Sequence, residues 1–173
     1  MSDIANAARD FAVKAHAGQV DKLGYPYPAH VVHIGRTVAR FGPIAEATGY
    51  LHDTVEDCDV TLAEIEKQFG PEIAAGVDAM TKRAGEDYQS DYLDRLLSDP
   101  IGPLVKYADS RHNFGKIHLL SDETAKARLT RKYLGVFEKL ETARPELCDW
   151  GPVQQIFYTA GGWALNGQTA VRQ

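Results

Sequence analysis

Apolar residues recur at intervals of three and four along most of this chain. Ile4, Ala8, Phe11 and Ala15 make one such stripe, with Ser2 or Asp3 before it as a cap and Gly18 after it as a stop. Val31, Ile34, Val38 and Phe41 make a second, ending at Gly42-Pro43, and Ile44, Thr48, Leu51 and Val55 make a third. Between the first two, the stretch GQVDKLGYPYP reads as a loop because it holds two glycines and two prolines. Thr61 and Glu64 form a Thr-x-x-Glu capping box for a short helix ending at Gly70, and Pro71 opens the next, which runs to about Lys82. Further helices are predicted near 86–98, over about 103–118, and over 122–143, the last one longer and with a charged face. The tail is ambiguous: QIFYTAGGWALNG could be a last helix broken at Gly161-Gly162. No segment of any length alternates with period two. The expectation is an all-α fold, a compact single-domain bundle of roughly eight or nine helices over residues 1–173 with a helical extension over 145–173.

Length and composition agree with that picture. A chain of 173 residues suits one core, and 44% hydrophobic with 25% charged residues is ordinary for a soluble domain. The net charge of −5 makes a general nucleic-acid or anionic-membrane binder a poor candidate, although a small anionic substrate can still meet a local site of opposite sign. No apolar run approaches the roughly 18 residues of a membrane span. The N-terminal stretch MSDIANAARDFAVKAH lacks the basic-then-apolar order of a secretory signal. Cys58 and Cys148 stand far apart in no metal-type pair, as free thiols in a reducing compartment would. A cytoplasmic protein with no membrane and no nucleic-acid polymer as partner is expected.

The chemistry concentrates at Leu51-His52-Asp53-Thr54-Val55-Glu56-Asp57. On a continuous helix His52 would sit above Glu56 and Asp53 above Asp57, with Leu51 and Val55 toward the core. An imidazole and three carboxylates in one patch repel unless a cation joins them. No Lys or Arg occurs from 41 to 66, where seven acids give −7 while the other 147 residues carry +2, so a divalent metal is the natural partner. Further ligands are available in His30 or His33 upstream and in Asp109 of LVKYADSRHN downstream. Such a mixed N/O set suits a first-row ion such as Mn²⁺, Fe²⁺ or Zn²⁺.

These motifs, in this order, resemble the HD-domain metal phosphohydrolases, and within them the hydrolase domains of RelA/SpoT-type proteins and the stand-alone small alarmone hydrolases. The likeness runs over about residues 6–140: AHAGQ at 15–19, Lys22, Gly24, Pro-Tyr at 26–27, His30, HDTVED at 52–57, FGPEIA, Thr81-Lys82 and KYADSRHN at 106–113. The resemblance implies His30, His52, Asp53 and Asp109 as ligands of a divalent metal, most readily Mn²⁺, and Glu56 and Asp57 as the acidic pair tied to hydrolysis. It further implies substrate contacts from Lys22, Lys82 and Asn113, and from a basic and aromatic cluster of Arg128, Arg131, Lys132 and Tyr133. His16 reads as bracing the loop after it, and His112 as packing beneath the site.

Several positions depart from the family pattern. Asp21 stands where an Arg associated with stacking on guanine is usual; Ser110-Arg111 replaces Arg-Leu; Lys116 replaces a Thr; Val31 replaces a Pro. The metal and acidic positions are intact while base-side positions differ, which fits the same reaction on a different base. The expected activity is metal-dependent removal of the 3′-pyrophosphate from a nucleotide alarmone, (p)ppGpp-like or (p)ppApp-like. Two alternatives stand beside it: another HD phosphohydrolase, such as a nucleotidase or NADPH phosphatase, and an inactive alarmone-binding module.

Overall fold

A computed structural model describes the backbone of residues 2–159, 162–165 and 168–169 and the side chains of residues 2–156. Its contacts group into two units, Met1–Ala108 and Asp109–Gln173. The first unit holds α1 (Asp3–Ala15), α2 (Tyr27–Val38), α3 (Pro43–Leu51), α4 (Thr54–Asp57), α5 (Leu62–Phe69), α6 (Pro71–Met80) and α7 (Leu93–Leu97). Helix α8 (Gly102–Gly115) begins in the first unit and enters the second at Asp109. The second unit continues with α9 (Glu123–Ala143) and the strands β1 (Ile156–Thr159), β2 (Gly162–Leu165) and β3 (Gln168–Thr169).

The helix starts are where local chemistry puts them. The Ser2 hydroxyl accepts the Ala5 amide at 3.3 Å, and Thr61 and Glu64 complete the capping box, a device worth about 1 kcal/mol. Pro43 and Pro71 occupy first turns, each behind a glycine at positive φ, Gly42 (102°) and Gly70 (90°). Helix α1 buries Ala5, Ala8 and Ala12, so its inward face is centred one residue away from the expected Ile4 stripe, with Ile4 and Phe11 packing at its margin.

Helix α3 is the centre of the first unit and packs against α1, α2 and α6. It runs close to α2 because glycines face each other there. A Cβ at Gly49 would lie 2.8 Å from the Gly35 Cα and 2.8 Å from Val38 Cγ2, and a Cβ at Gly35 would overlap the Tyr50 ring. The core around this crossing includes Ala8, Val31, Ala47, Tyr50, Leu51, Ile65, Ile73 and Val77.

Two expectations are corrected. The third stripe is not one helix: α3 ends at Leu51, His52 and Asp53 form a turn, and α4 restarts at Thr54. Side chains compete with the main chain at this point. His52 Nδ1 lies 2.9 Å from the Gly49 carbonyl oxygen, and the Thr54 hydroxyl donates to the Leu51 carbonyl at 2.7 Å. The described residues of the tail, within the expected helical extension over 145–173, are not helical in that way either. Pro145–Trp150 is a 3₁₀ turn, and β1, β2 and β3 form an antiparallel sheet pairing Ile156 with Leu165 and Ala164 with Thr169. Ile156-Phe157-Tyr158-Thr159 is a β-branched and aromatic run, the composition of a strand rather than of a helix.

In the second unit α9 turns Leu129, Tyr133, Val136, Phe137 and Leu140 inward, and Phe114 meets Phe137 edge to face at 5.6 Å. Arg111 donates to the carbonyls of Trp150, Gly151 and Pro152 at 3.3, 2.8 and 2.8 Å. Gly115 lets the tail pass closely, since a Cβ there would meet the Gln154 carbonyl oxygen at 2.5 Å.

Candidate metal centre

Four aromatic rings follow one another through the first unit in tilted and edge-on contacts, each 5.0–5.3 Å from the next: His16, Tyr27, His30 and His52. Helix α1 ends at the first, α2 carries the second and third, and the turn after α3 carries the fourth. His16, His30 and His52 are buried. The Asp53 carboxylate is the common neighbour of the two inner imidazoles. Its Oδ2 lies 2.8 Å from His52 Nε2 and 3.6 Å from His30 Nε2, and it accepts the Tyr27 hydroxyl at 2.6 Å. Burial works to raise the Asp53 pKa, but the two imidazoles outweigh it and hold the carboxyl well below the usual carboxylate range.

This donor set suits a divalent cation. A neutral His52 that donates Nδ1–H to the Gly49 carbonyl must present a lone pair at Nε2, the usual arrangement for a metal-binding imidazole. Nε2 faces a carboxylate oxygen at 2.8 Å, so either a proton, as on a free imidazolium, or a metal cation must sit between the two atoms. Among the described residues one group is suited to hold a metal: His30, His52 and Asp109, each buried and each offering an atom within 4.8 Å of the others. On α8 the Asp109 carboxylate accepts the Asn113 amide at 2.6 Å, so Asn113 fixes its rotamer. His33 points its Nε2 at the Thr37 hydroxyl, 3.4 Å away, and is not in that group.

Glu56 and Asp57 are exposed, and each is held from a different direction. Glu56 Oε2 accepts the Lys82 amide at 3.1 Å. The backbone carbonyl of Asp57 accepts Gln19 Nε2 at 2.9 Å, and His16 Nδ1 meets Gln19 Oε1 at 2.8 Å. His16 of the AHAGQ motif thus braces the loop through Gln19. Although the residue is exposed, partial desolvation of its carboxyl and the neighbouring Asp53 charge push the Asp57 pKa up.

The residues expected to contact substrate divide. Lys22 is exposed in the loop before α2, and Lys82 is half-buried beside Glu56. Asp21 is spent on its own loop, where its Oδ1 accepts the amides of Leu23 and Tyr25. The cluster on α9 is not one surface: Arg128 and Arg131 are exposed, whereas Tyr133 is buried with the inward face. Arg131 and Tyr133 are about 200° apart around a helix with 3.6 residues per turn. Sequence reading gave no role to Tyr27, Gln19 or Arg95, although Tyr27 and Gln19 lie inside motifs already singled out.

A helical domain with paired imidazoles and a carboxylate at a helix break defines a metal-binding class. Residues 8–95 match the HD domain family, and the chain belongs to it. The chain is 30% identical over 153 residues to a GTP pyrophosphokinase of Myxococcus xanthus, covering 80% of this chain and 20% of the relative. It is 33% identical over 142 residues to a probable guanosine-3′,5′-bis(diphosphate) 3′-pyrophosphohydrolase of Synechocystis, covering 75% and 19%. The chain thus spans about a fifth of the length of these curated relatives. A solved structure described as a metazoan ortholog of SpoT that hydrolyses ppGpp shares the fold, with a TM-score of 0.71 at 19% identity, covering 87% of this chain and 96% of that one. Among the described residues, no helix is long and apolar enough to cross a membrane.

Proposed function

We propose that this chain is a single HD-type hydrolase domain that removes the 3′-pyrophosphate from a nucleotide alarmone with the help of a divalent metal, Mn²⁺ in the first instance. The observation that carries this reading is the Asp53 carboxylate set between His52 and His30, with Glu56 and Asp57 following directly on α4. The names of the relatives support it, since several are 3′-pyrophosphohydrolases of guanosine-3′,5′-bis(diphosphate).

His30, His52, Asp53 and Asp109 would hold the metal, which when bound polarises a phosphoryl oxygen and lowers the pKa of water. The chain's own groups do the rest. Tyr27 and Asn113 fix the two ligand carboxylates in place. Glu56 orients the attacking water from the position set by the Lys82 amide, and Asp57 takes its proton. Lys82 and Lys22 are the cations offered to the phosphates, Arg128 and Arg131 on the exposed face of α9 are further candidates, and Tyr133 packs on the inward face of that helix. Asp21 stands where the family resemblance calls for a guanine-stacking cation, so adenine-bearing substrates belong beside guanine-bearing ones in any screen.

The test is a turnover screen of Mn²⁺-loaded protein against ppGpp and ppApp, with pyrophosphate as the product measured. Release from either is the expected outcome. Metal bound without release from both would refute the reading, and orthophosphate release would point to a nucleotidase-type phosphohydrolase instead.

A further inference from the structure

The loop that supplies the Lys82 amide to Glu56 is built by one side chain outside every motif of the family resemblance. Helix α6 ends at Met80, and the carbonyls around its end look for partners beyond the regular helix ladder. Arg95 on α7 takes two of them: Nη1 donates to the Asp78 carbonyl at 2.9 Å and Nη2 to the Thr81 carbonyl at 2.8 Å. The Tyr92 hydroxyl takes a third, the Met80 carbonyl, at 2.8 Å. The remaining donors of the guanidinium form a fork on Glu86, with Nε to Oε1 at 2.7 Å and Nη2 to Oε2 at 2.9 Å. Glu86 in turn accepts the Arg83 amide at 2.7 Å. Residues 81–86 are therefore fastened at both ends by one planar group. The Lys82 N–H, between those ends, points at Glu56 Oε2.

This is more than an exposed ion pair. Arg95 and Glu86 expose only 21% and 14% of their side chains, and the pairing is two-pronged with main-chain carbonyls completing it. The acid is committed to the pair, since the Arg95 hydrogen bonds and the Arg83 amide hold the Glu86 carboxyl down at about 2. Lysine could replace the charge but not the fork: one ammonium cannot satisfy Asp78, Thr81 and both Glu86 oxygens from one position.

We infer that Arg95 is a positioning residue for hydrolysis, acting on Glu56 through the backbone of Lys82. The inference rests on the reading of Glu56 as the group that orients water.

The experiment compares wild type, Arg95→Lys, Glu56→Gln and the double variant, with Glu86→Gln as a second way to open the clamp. One readout needs no turnover, namely the amide proton resonance of Lys82. Glu56→Gln is expected to move it in the wild-type background and to leave it in place in the Arg95→Lys background. The second readout is kcat. Arg95→Lys and Glu86→Gln are each expected to lower it roughly 10–100-fold, the usual cost of losing a partner that orients a catalytic group. Arg95→Lys is expected to add nothing in the Glu56→Gln background, because its effect passes through Glu56. A Lys82 resonance that responds equally in both backgrounds would overturn the inference, as would additive losses of kcat. Wild-type protein that binds metal and turns over no alarmone would refute the parent reading, while the resonance would still decide whether the clamp acts on the Lys82–Glu56 bond.

Discussion

Replacing Gly49 with Ala tests the frame on which both histidines rest. The new methyl would stand 2.8 Å from the Gly35 Cα, a backbone atom of α2, and 2.8 Å from Val38 Cγ2. Rotating a side chain cannot relieve the first contact, so α2 and α3 must move apart. Overpacking of a tight core costs typically 1–3 kcal/mol, and a clash with backbone belongs in the upper part, about 2–3 kcal/mol. For a domain of this size each kcal/mol lowers Tm by about 2–4 °C, which gives a fall of roughly 4–12 °C. The effect reaches the site as well, because His52 Nδ1 is held by the carbonyl of Gly49 itself and His30 rides on α2. The assay is thermal unfolding followed by circular dichroism without metal, paired with calorimetric titration of Mn²⁺. Leu134→Ala, at a position 53% exposed on α9, serves as the comparison and should stay within about 0.5 kcal/mol of wild type. An unchanged Tm together with unchanged metal affinity in Gly49→Ala would refute the argument from close approach.

Tyr27→Phe removes the hydroxyl that Asp53 accepts at 2.6 Å and should weaken metal binding roughly 10–100-fold while the fold persists; calorimetry of metal binding at unchanged Tm checks this. Gln19→Glu keeps the partner of His16 but sets a carboxylate against the Asp57 carbonyl; kcat should fall on the order of 10²-fold with metal content unchanged, and steady-state kinetics with metal analysis would expose a failure. Glu86 has its pKa depressed to about 2 in the folded protein from an ordinary 4.5, so its contribution to stability is complete above the ordinary value and fades as the pH falls toward 2. Titration of its carboxyl by NMR should find a midpoint well below 4, and a midpoint at the ordinary value would show that the Arg95 fork does not form in solution.

What the sequence revealed and what it concealed follow a physical division. Features set by neighbours within a few residues were readable: the Ser2 cap, the Thr61–Glu64 box, the prolines opening α3 and α6, and the His52-Asp53 pair with its acidic successors. The break at His52-Asp53 was not, because periodicity sees the apolar stripe across the turn and misses the side chains that take over the Gly49 and Leu51 carbonyls. The strands of the tail are at most four residues long, too short to establish an alternation. Tyr27, Gln19 and Arg95 act on groups 26, 38 and 9–17 residues away, and nothing in their local spacing announces those partners. On α9 the sequence also hid which side chains face outward: Arg128 and Arg131 are exposed and Tyr133 is buried, because residues adjacent in a motif need not share a face of a helix.

The Arg111 contacts bear on the order in which this protein is completed as it is made. Helix α8 carries Asp109 and Asn113, yet the carbonyls that Arg111 binds belong to residues 150–152, up to 41 positions later in the chain. At a synthesis rate of about 5–20 residues per second, those acceptors follow Arg111 by roughly 2–8 s. During that interval the guanidinium of Arg111 and the bare face of Gly115 wait for the segment that will cover them. The second half of α8 is therefore a late-finished element of a chain whose imidazoles and acidic pair were laid down well before it.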